Sequence, residues 1–165
     1  MPVRHYRFPR PAGTKVLAAL AGLSAIAGVH AQQIVLNNTR GLDFGRFVAG
    51  TGGTITVSPA GVRSRTGGVV LLNSPSTGQA GFTVSRSSNG GSNKAVVISV
   101  PANGSIRLSS GTNSMAVNNF VNNPTNILSV PTGGTNLSLG ATLTVAPNQP
   151  AGTYSGSFPL TVNFQ

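Results

Sequence analysis

The feature that most constrains the fold of this chain is the alternation of apolar and polar residues over short segments bounded by turn residues. The most regular example is the C-terminal segment, residues 152–165. Its apolar parity holds Tyr154, Phe158, Leu160, Val162 and Phe164, with Gly156 in the remaining place. A period of two puts successive side chains on opposite faces of a strand, so one face of this segment is expected to be half-buried.

Other short segments rich in Val, Ile, Leu or Phe precede it, and no helical period occurs after residue 31. The further predicted strands are 34–36, 42–48, 54–58, 69–72, 81–85, 95–100, 105–109, 115–121 and 137–146. Gly, Pro and Asn between them favour turns. This spacing predicts an all-β sandwich of antiparallel strands.

The last two predicted strands are separated by a proline-rich turn at residues 147–152. Both alternate regularly, so we predict that 137–146 and 152–165 pair as an antiparallel hairpin. Pro159 has no N–H to donate to a ladder, which places the last strand at an edge or a bulge.

The N-terminus reads as a targeting segment. Its basic residues are Arg4, Arg7, Arg10 and Lys15. The apolar stretch 16–29 that follows is shorter than the roughly twenty residues of a membrane span, and Val29-His30-Ala31 fits a signal-peptidase site. We predict a cleaved signal peptide over 1–31, with an uncleaved N-terminal anchor as the alternative. No further transmembrane segment is expected, and export leads to the periplasm, the cell surface or the medium.

Removing 31 of the 165 residues leaves 134, which suits a single β-sandwich domain over 32–165. Seven basic side chains then stand against Asp43 alone, so the net charge falls from +10 for the whole chain to +6. The chain has no cysteine, although exported proteins can form disulfides. Its stability is therefore expected to come from the core alone.

Residues 32–165 contain no His, Cys or Glu, because His5 and His30 both lie in the predicted signal peptide. Paired-carboxylate, catalytic-triad and zinc chemistry all need residues that this segment lacks. Asp43 is expected to pair with Arg40 or Arg46, or to cap a turn. We therefore predict a protein that is not an enzyme and holds no cofactor or metal.

Four basic residues, Arg63, Arg65, Arg86 and Lys94, are candidate contacts for an anionic ligand. The bases are dispersed along the chain, and the aromatic residues fall on the core parity rather than among them, so nucleic acid is not an expected partner. One functional hypothesis is a self-complete surface β-sandwich that binds carbohydrate or an anionic polymer.

Three stretches carry a resemblance to a known family. They are L-D-F-G-R-F (42–47), G-G-T-I-T-V-S-P-A-G (52–61) and A-T-L-T-V-A-P-N-Q-P-A-G-T-Y-S-G-S-F-P-L-T-V-N-F (141–164). Over residues 36–164 the chain resembles the bacterial secreted domain-of-unknown-function family 4402. Its two ends are also similar to the spore-coat-U-like and archaic chaperone–usher pilin subunits.

The pilin resemblance implies an incomplete immunoglobulin-like Greek-key β-sandwich. Its last strand would be paired first by a periplasmic chaperone and then, through an usher, by the N-terminal extension of a like subunit. Gly152 and Phe164 match the glycine fourteen residues from the end and the penultimate aromatic. The assembly strand would comprise Gly152, Tyr154, Gly156, Phe158, Leu160, Val162 and Phe164.

The donor segment would be Ile34, Val35 and Leu36, although these residues are alternatively the first strand of their own domain. Pairing of this kind is β-augmentation, in which backbone hydrogen bonds supply affinity and alternate side chains supply register. The other functional hypothesis is therefore a non-enzymatic structural subunit of a fimbria or similar appendage of a Gram-negative bacterium.

Overall fold

The computed structural model describes residues 33–87 and 94–165, and the predicted signal peptide 1–31 lies outside them. The described residues form strands and no helix, and thus no helix long and apolar enough to cross a membrane. The strands are β1 Ile34–Arg40, β2 Phe47–Val48, β3 Gly53–Val57, β4 Arg63–Gly67, β5 Val70–Leu71, β6 Ala80–Arg86, β7 Val96–Ser99, β8 Ile106–Ser110, β9 Asn113–Asn123, β10 Thr135–Val145 and β11 Thr161–Phe164. The predicted all-β class is confirmed.

All strand pairs are antiparallel, as predicted. The main sheet has seven strands in the order β1-β6-β10-β3-β4, with β9 also paired to β10 and β8 to β9, and it curls into a half-barrel. Two small sheets, β2–β5 and β7–β11, accompany it. Strand β10 is therefore the strand on which the rest of the main sheet is organised.

Strand β10 changes partner at Gly140. Residues 135–139 pair with β6, whereas residues 141–145 pair with β3. A Cβ on Gly140 would lie 2.3 Å from the carbonyl oxygen of Val57, so only glycine permits this close approach. The register with β9 shifts between Gly140 and Thr142, which is typical of a strand that bends.

The core is formed by the side chains on the inward face of the longest strands, where alternate residues are buried. Its fully buried side chains include Ile55, Val57, Val84, Leu137, Leu139 and Leu143. The buried residues of the described chain are all apolar, and the residues between them on each strand are more exposed. This is the pattern expected of antiparallel sheets with one solvated face.

Each predicted segment contains a strand, but several bounds differ. The predicted strand 42–48 is reduced to Phe47–Val48, because the chain turns at Asp43. Asp43 Oδ1 accepts a hydrogen bond from the Gly45 N–H over 2.7 Å, and Gly45 has a φ of +73°. The expectation that Asp43 caps a turn is therefore confirmed.

The predicted hairpin between 137–146 and the C-terminal segment is wrong. Strand β11 pairs with β7, from Thr161 opposite Ser99 to Phe164 opposite Val96. Strand β10 has no free side for it, because residues 138–143 pair with β9 while β6 and β3 occupy the other side. Pro159 precedes β11, and β11 lies in a two-stranded sheet, as the edge prediction requires.

Candidate functional site

The C-terminal segment starts from a turn that is tied down by a tyrosine. The hydroxyl of Tyr154 donates to the carbonyl oxygen of Pro150 over 2.8 Å. Gln149 Nε2 in turn donates to that hydroxyl over 2.9 Å. These two bonds fix the position at which the segment leaves the turn.

The first part of the segment runs against the edge of β8. Ser155 and Ser109 exchange two backbone hydrogen bonds, of 2.8 and 3.1 Å. A Cβ on Gly152 would lie 2.6 Å from Ser110 Oγ, and one on Gly156 would lie 2.5 Å from the carbonyl oxygen of Arg107. The two glycines singled out in the sequence thus allow the segment to approach β8 closely.

The large side chains of the segment share one face, as their parity in the sequence predicted. Tyr154, Phe158, Leu160, Val162 and Phe164 are all half-buried and pack against the core. The ring of Phe158 contacts that of Phe120, with centroids 5.3 Å apart and planes tilted by 48°. The apolar face of the segment is therefore only partly removed from water.

Strand β11 is held on one side by β7, and Gln165 extends this pairing by donating its N–H to the carbonyl oxygen of Ala95 over 3.0 Å. It also lies beside β1, with no strand pairing between the two in the part of the chain that the structure describes. The end of the chain and its first described strand are thus neighbours.

The candidate donor segment lies within β1. Ile34, Val35 and Leu36 pair with Arg86, Ser85 and Val84 of β6 in the same chain. Ile34 and Leu36 are half-buried against the core, whereas Val35 is exposed. In this chain, the segment therefore occupies the place of the domain's own first strand, at one edge of the main sheet.

The four candidate anion contacts form two separate pairs. Arg63 and Arg65 lie on the edge strand β4. Arg86 ends β6, and its Nε donates to the carbonyl oxygen of Val130 over 3.0 Å, while the N–H of Val130 donates to the carbonyl oxygen of Lys94 over 3.3 Å. Since β10 and β3 separate β6 from β4 in the sheet, the structure does not bring the four together.

Arg63 and Arg65 share the face of β3 and β4 that carries Val57 and Ile55, their respective cross-strand partners. The guanidinium of Arg63 is bonded to loop carbonyl oxygens, whereas Arg65 is exposed and, within the described residues, its guanidinium donates to the Gly67 carbonyl oxygen alone, over 3.2 Å. Charges directed inward from an edge strand discourage pairing with another sheet. Because its guanidinium is occupied by loop carbonyl oxygens, we assign Arg63 a structural role.

Sequence reasoning missed an apolar cavity of about 380 Å³ beside the C-terminal segment. Its floor contains the buried side chains of Phe44, Phe82 and Val117, which come from three distant parts of the chain. Of its lining, Gly156 and Phe158 belong to the predicted assembly strand. No local pattern marks such a cavity, because strand pairing alone brings its walls together.

The fold and this site define an all-β antiparallel domain whose C-terminal segment lies at a sheet edge. The chain matches the family described as "Domain of unknown function (DUF4402)" over residues 34–164, and it belongs to that family. No curated protein and no solved structure matches the chain.

Proposed function

We propose that this protein is a non-enzymatic structural subunit of a fimbria or related surface appendage of a Gram-negative bacterium, assembled by strand exchange at the sheet edge beside its C-terminal segment. One observation carries the proposal. The first described strand, β1, is an edge strand that lies beside β11, so an edge of the main sheet and the C-terminal strand are neighbours.

Assembly would proceed by exchange of β1, so that the incoming strand pairs with β6 and lies beside the C-terminal strand β11. Strand β1 of one copy leaves its own β6, and β1 of the next copy takes its place with the same register. Because the incoming strand is identical, it restores the ladder from Ile34 opposite Arg86 to Arg40 opposite Gly81. Exchange of an identical element costs little free energy once both copies have been opened.

The half-buried face of the C-terminal segment supports the proposal. A periplasmic chaperone would bind its aromatic and aliphatic side chains first. The incoming subunit, delivered by an outer-membrane usher, would then contact them in its place. Pairing would add backbone hydrogen bonds at a strand edge and cover apolar side chains in register. Export through the inner membrane, by the signal peptide proposed for 1–31, would bring the chain to that chaperone.

The hydrogen bond from Tyr154 to Pro150 supports an immunoglobulin-like sandwich as the frame for this assembly. A tyrosine hydroxyl that bonds to the backbone a few residues upstream is a hallmark of such sandwiches. The resemblance of the two chain ends to archaic chaperone–usher pilins supports the same architecture.

Engineered cysteines across β1 and β6 test the exchange, because the chain has no cysteine of its own. Asn37 and Thr83 are directly opposite each other in the ladder. In a chain that carries Asn37→Cys and Thr83→Cys, pairing within one copy gives a disulfide-closed monomer. Exchange instead gives a ladder of disulfide-linked oligomers on a non-reducing gel of intact cells.

The matched control places Ser110→Cys and Asn113→Cys at the tight turn between β8 and β9, where the two residues are also opposite each other. A disulfide between these two cysteines forms within one chain in any assembly state, so the control chain should run as a monomer on the gel. If the Asn37–Thr83 pair also yields only monomer in the surface fraction, assembly by exchange of β1 is wrong.

A further inference from the structure

We infer that the apolar cavity beside the C-terminal segment binds a small uncharged amphiphile, a molecule with an apolar body and one hydrogen-bond donor at its head. This inference goes beyond the proposed assembly and does not depend on it. The cavity lies between β8, the connection from β1 to β2, and residues 156–158.

The walls of the cavity favour an apolar body. Leu42, Ile106, Leu108 and Phe158 line it and remain only half-buried, above the buried floor. A ligand that covered these side chains would remove their apolar surface from water, which stabilises a complex.

The charge of the lining favours an uncharged ligand. Among the described residues that line the cavity, none carries a charge. Arg107 lies between two lining residues of β8, but its side chain belongs to the opposite parity and donates to Ser114 Oγ over 3.0 Å. A charged head placed in this cavity would lose its hydration without gaining a counter-charge, which is costly.

The described lining has two polar side chains, those of Asn38 and Ser157, and the amide of Asn38 selects a hydrogen-bond donor. Asn38 is the residue of β1 opposite Phe82 and shares the parity of the half-buried Leu36, but it is itself exposed. Its Nδ2 donates to the carbonyl oxygens of Arg40 and Gly81, over 3.1 and 3.3 Å. With both amide hydrogens directed to these carbonyl groups, Oδ1 is left as the acceptor for a hydroxyl or amide N–H of the ligand.

The volume of about 380 Å³ limits the size of the ligand. Sites for small molecules commonly measure about 300–1,000 Å³, so this cavity lies at the small end of the range. It would hold a short aliphatic chain or a small ring system. The hydroxyl head would lie near Asn38, and the chain would extend past Leu108.

The probes for this site are 1-octanol and its charged counterpart octanoate, titrated into the full-length chain while the methyl resonances of Ile106 and Leu108 are followed by NMR. We expect saturable shifts with 1-octanol and binding at least tenfold weaker with octanoate. Tighter binding of 1-octanol than of octanoate would distinguish this site from non-specific binding. The chain carries a net charge of +10, which would favour octanoate at any non-specific site. Equal or tighter binding of octanoate, or shifts that do not saturate, would overturn the inference.

Two variants locate the binding. Leu42→Trp fills the cavity and is expected to abolish the 1-octanol shifts. Leu72→Trp makes the same change at an exposed residue outside the cavity and should leave them intact. Asn38→Leu should weaken 1-octanol several-fold relative to n-octane. Unchanged 1-octanol binding in a folded Leu42→Trp chain would contradict the assignment of the site. If that variant does not fold, the relative affinities of 1-octanol and octanoate for the unmodified chain test the inference.

Discussion

Arg63 Nη2 donates to the carbonyl oxygen of Leu72 over 2.6 Å, from the core-facing side of the edge strand β4. Its Nη1 also donates to the carbonyl oxygen of Phe44 over 3.0 Å. Arg40 holds the neighbouring stretch in a similar way, since its Nη2 donates to the carbonyl oxygens of Ser76 and Thr77, each over 2.9 Å. Two arginines thus hold these loops through backbone oxygens.

The first prediction concerns this role of Arg63. Arg63→Met should lower the free energy of unfolding by about 2–3 kcal/mol, because the loop carbonyl oxygens lose a charged donor. Arg65→Met, on the same strand and face, should change it by no more than about 0.5 kcal/mol because its side chain is exposed. Urea unfolding of both variants measures the difference, and equal losses would refute the structural role.

The second prediction concerns the bend in β10. Gly140→Ala should destabilise the protein by about 3 kcal/mol, because the new Cβ would overlap the backbone of Val57 and Ser58 in a packed interior. Gly133→Ala is the matched control, since a Cβ there meets no atom within 4 Å and its φ is not in the left-handed region. Thermal unfolding should show a lower Tm for Gly140→Ala only.

The third prediction concerns the contact that fixes the C-terminal segment on the core. In a double-mutant cycle, Phe120→Leu and Phe158→Leu should show a coupling free energy of about 0.5–1.5 kcal/mol, as expected for a tilted aromatic pair. The measurement is the free energy of unfolding of the four chains. Strict additivity would mean that the two rings contribute separately.

The fourth prediction concerns the penultimate aromatic residue. Phe164→Ala should strongly lower the amount of protein that accumulates in the periplasm, because β11 loses a large part of its apolar face. Leu128→Ala removes an apolar side chain that is 80 % exposed and should leave the amount unchanged. Immunoblots of periplasmic fractions compare them. Normal accumulation of the Phe164→Ala chain would contradict the proposed recognition of β11 by a periplasmic chaperone.

Much of the strand content could be predicted from the sequence, because a half-buried strand leaves a period of two in its own residues. Strand β4 could not be, since R-S-R-T-G contains no large apolar residue and pairs as an edge strand on β3. The strand 42–48 was predicted too long because the turn at Asp43 depends on one side-chain hydrogen bond.

Strand partners were harder to predict than strands. The proline-rich turn 147–152 suggested a hairpin, yet the chain crosses to β8 at Ser155 and then to β7 at Thr161. The path depends on which edges are free after β9, β6 and β3 have occupied β10, and no local pattern encodes that order. The cavity was missed for the same reason, whereas the parity of the C-terminal side chains could be read directly.

The partner change of β10 at Gly140 also has a consequence for the order in which the protein can fold. Strands β3, β6 and β9 all need β10, which is the second to last strand to be synthesised. Most native contacts therefore join residues far apart in the chain, a topology that folds slowly. A nascent chain that lacks β10 has no strand on which to close its main sheet, so the sheet can form only after most of the described chain has been synthesised.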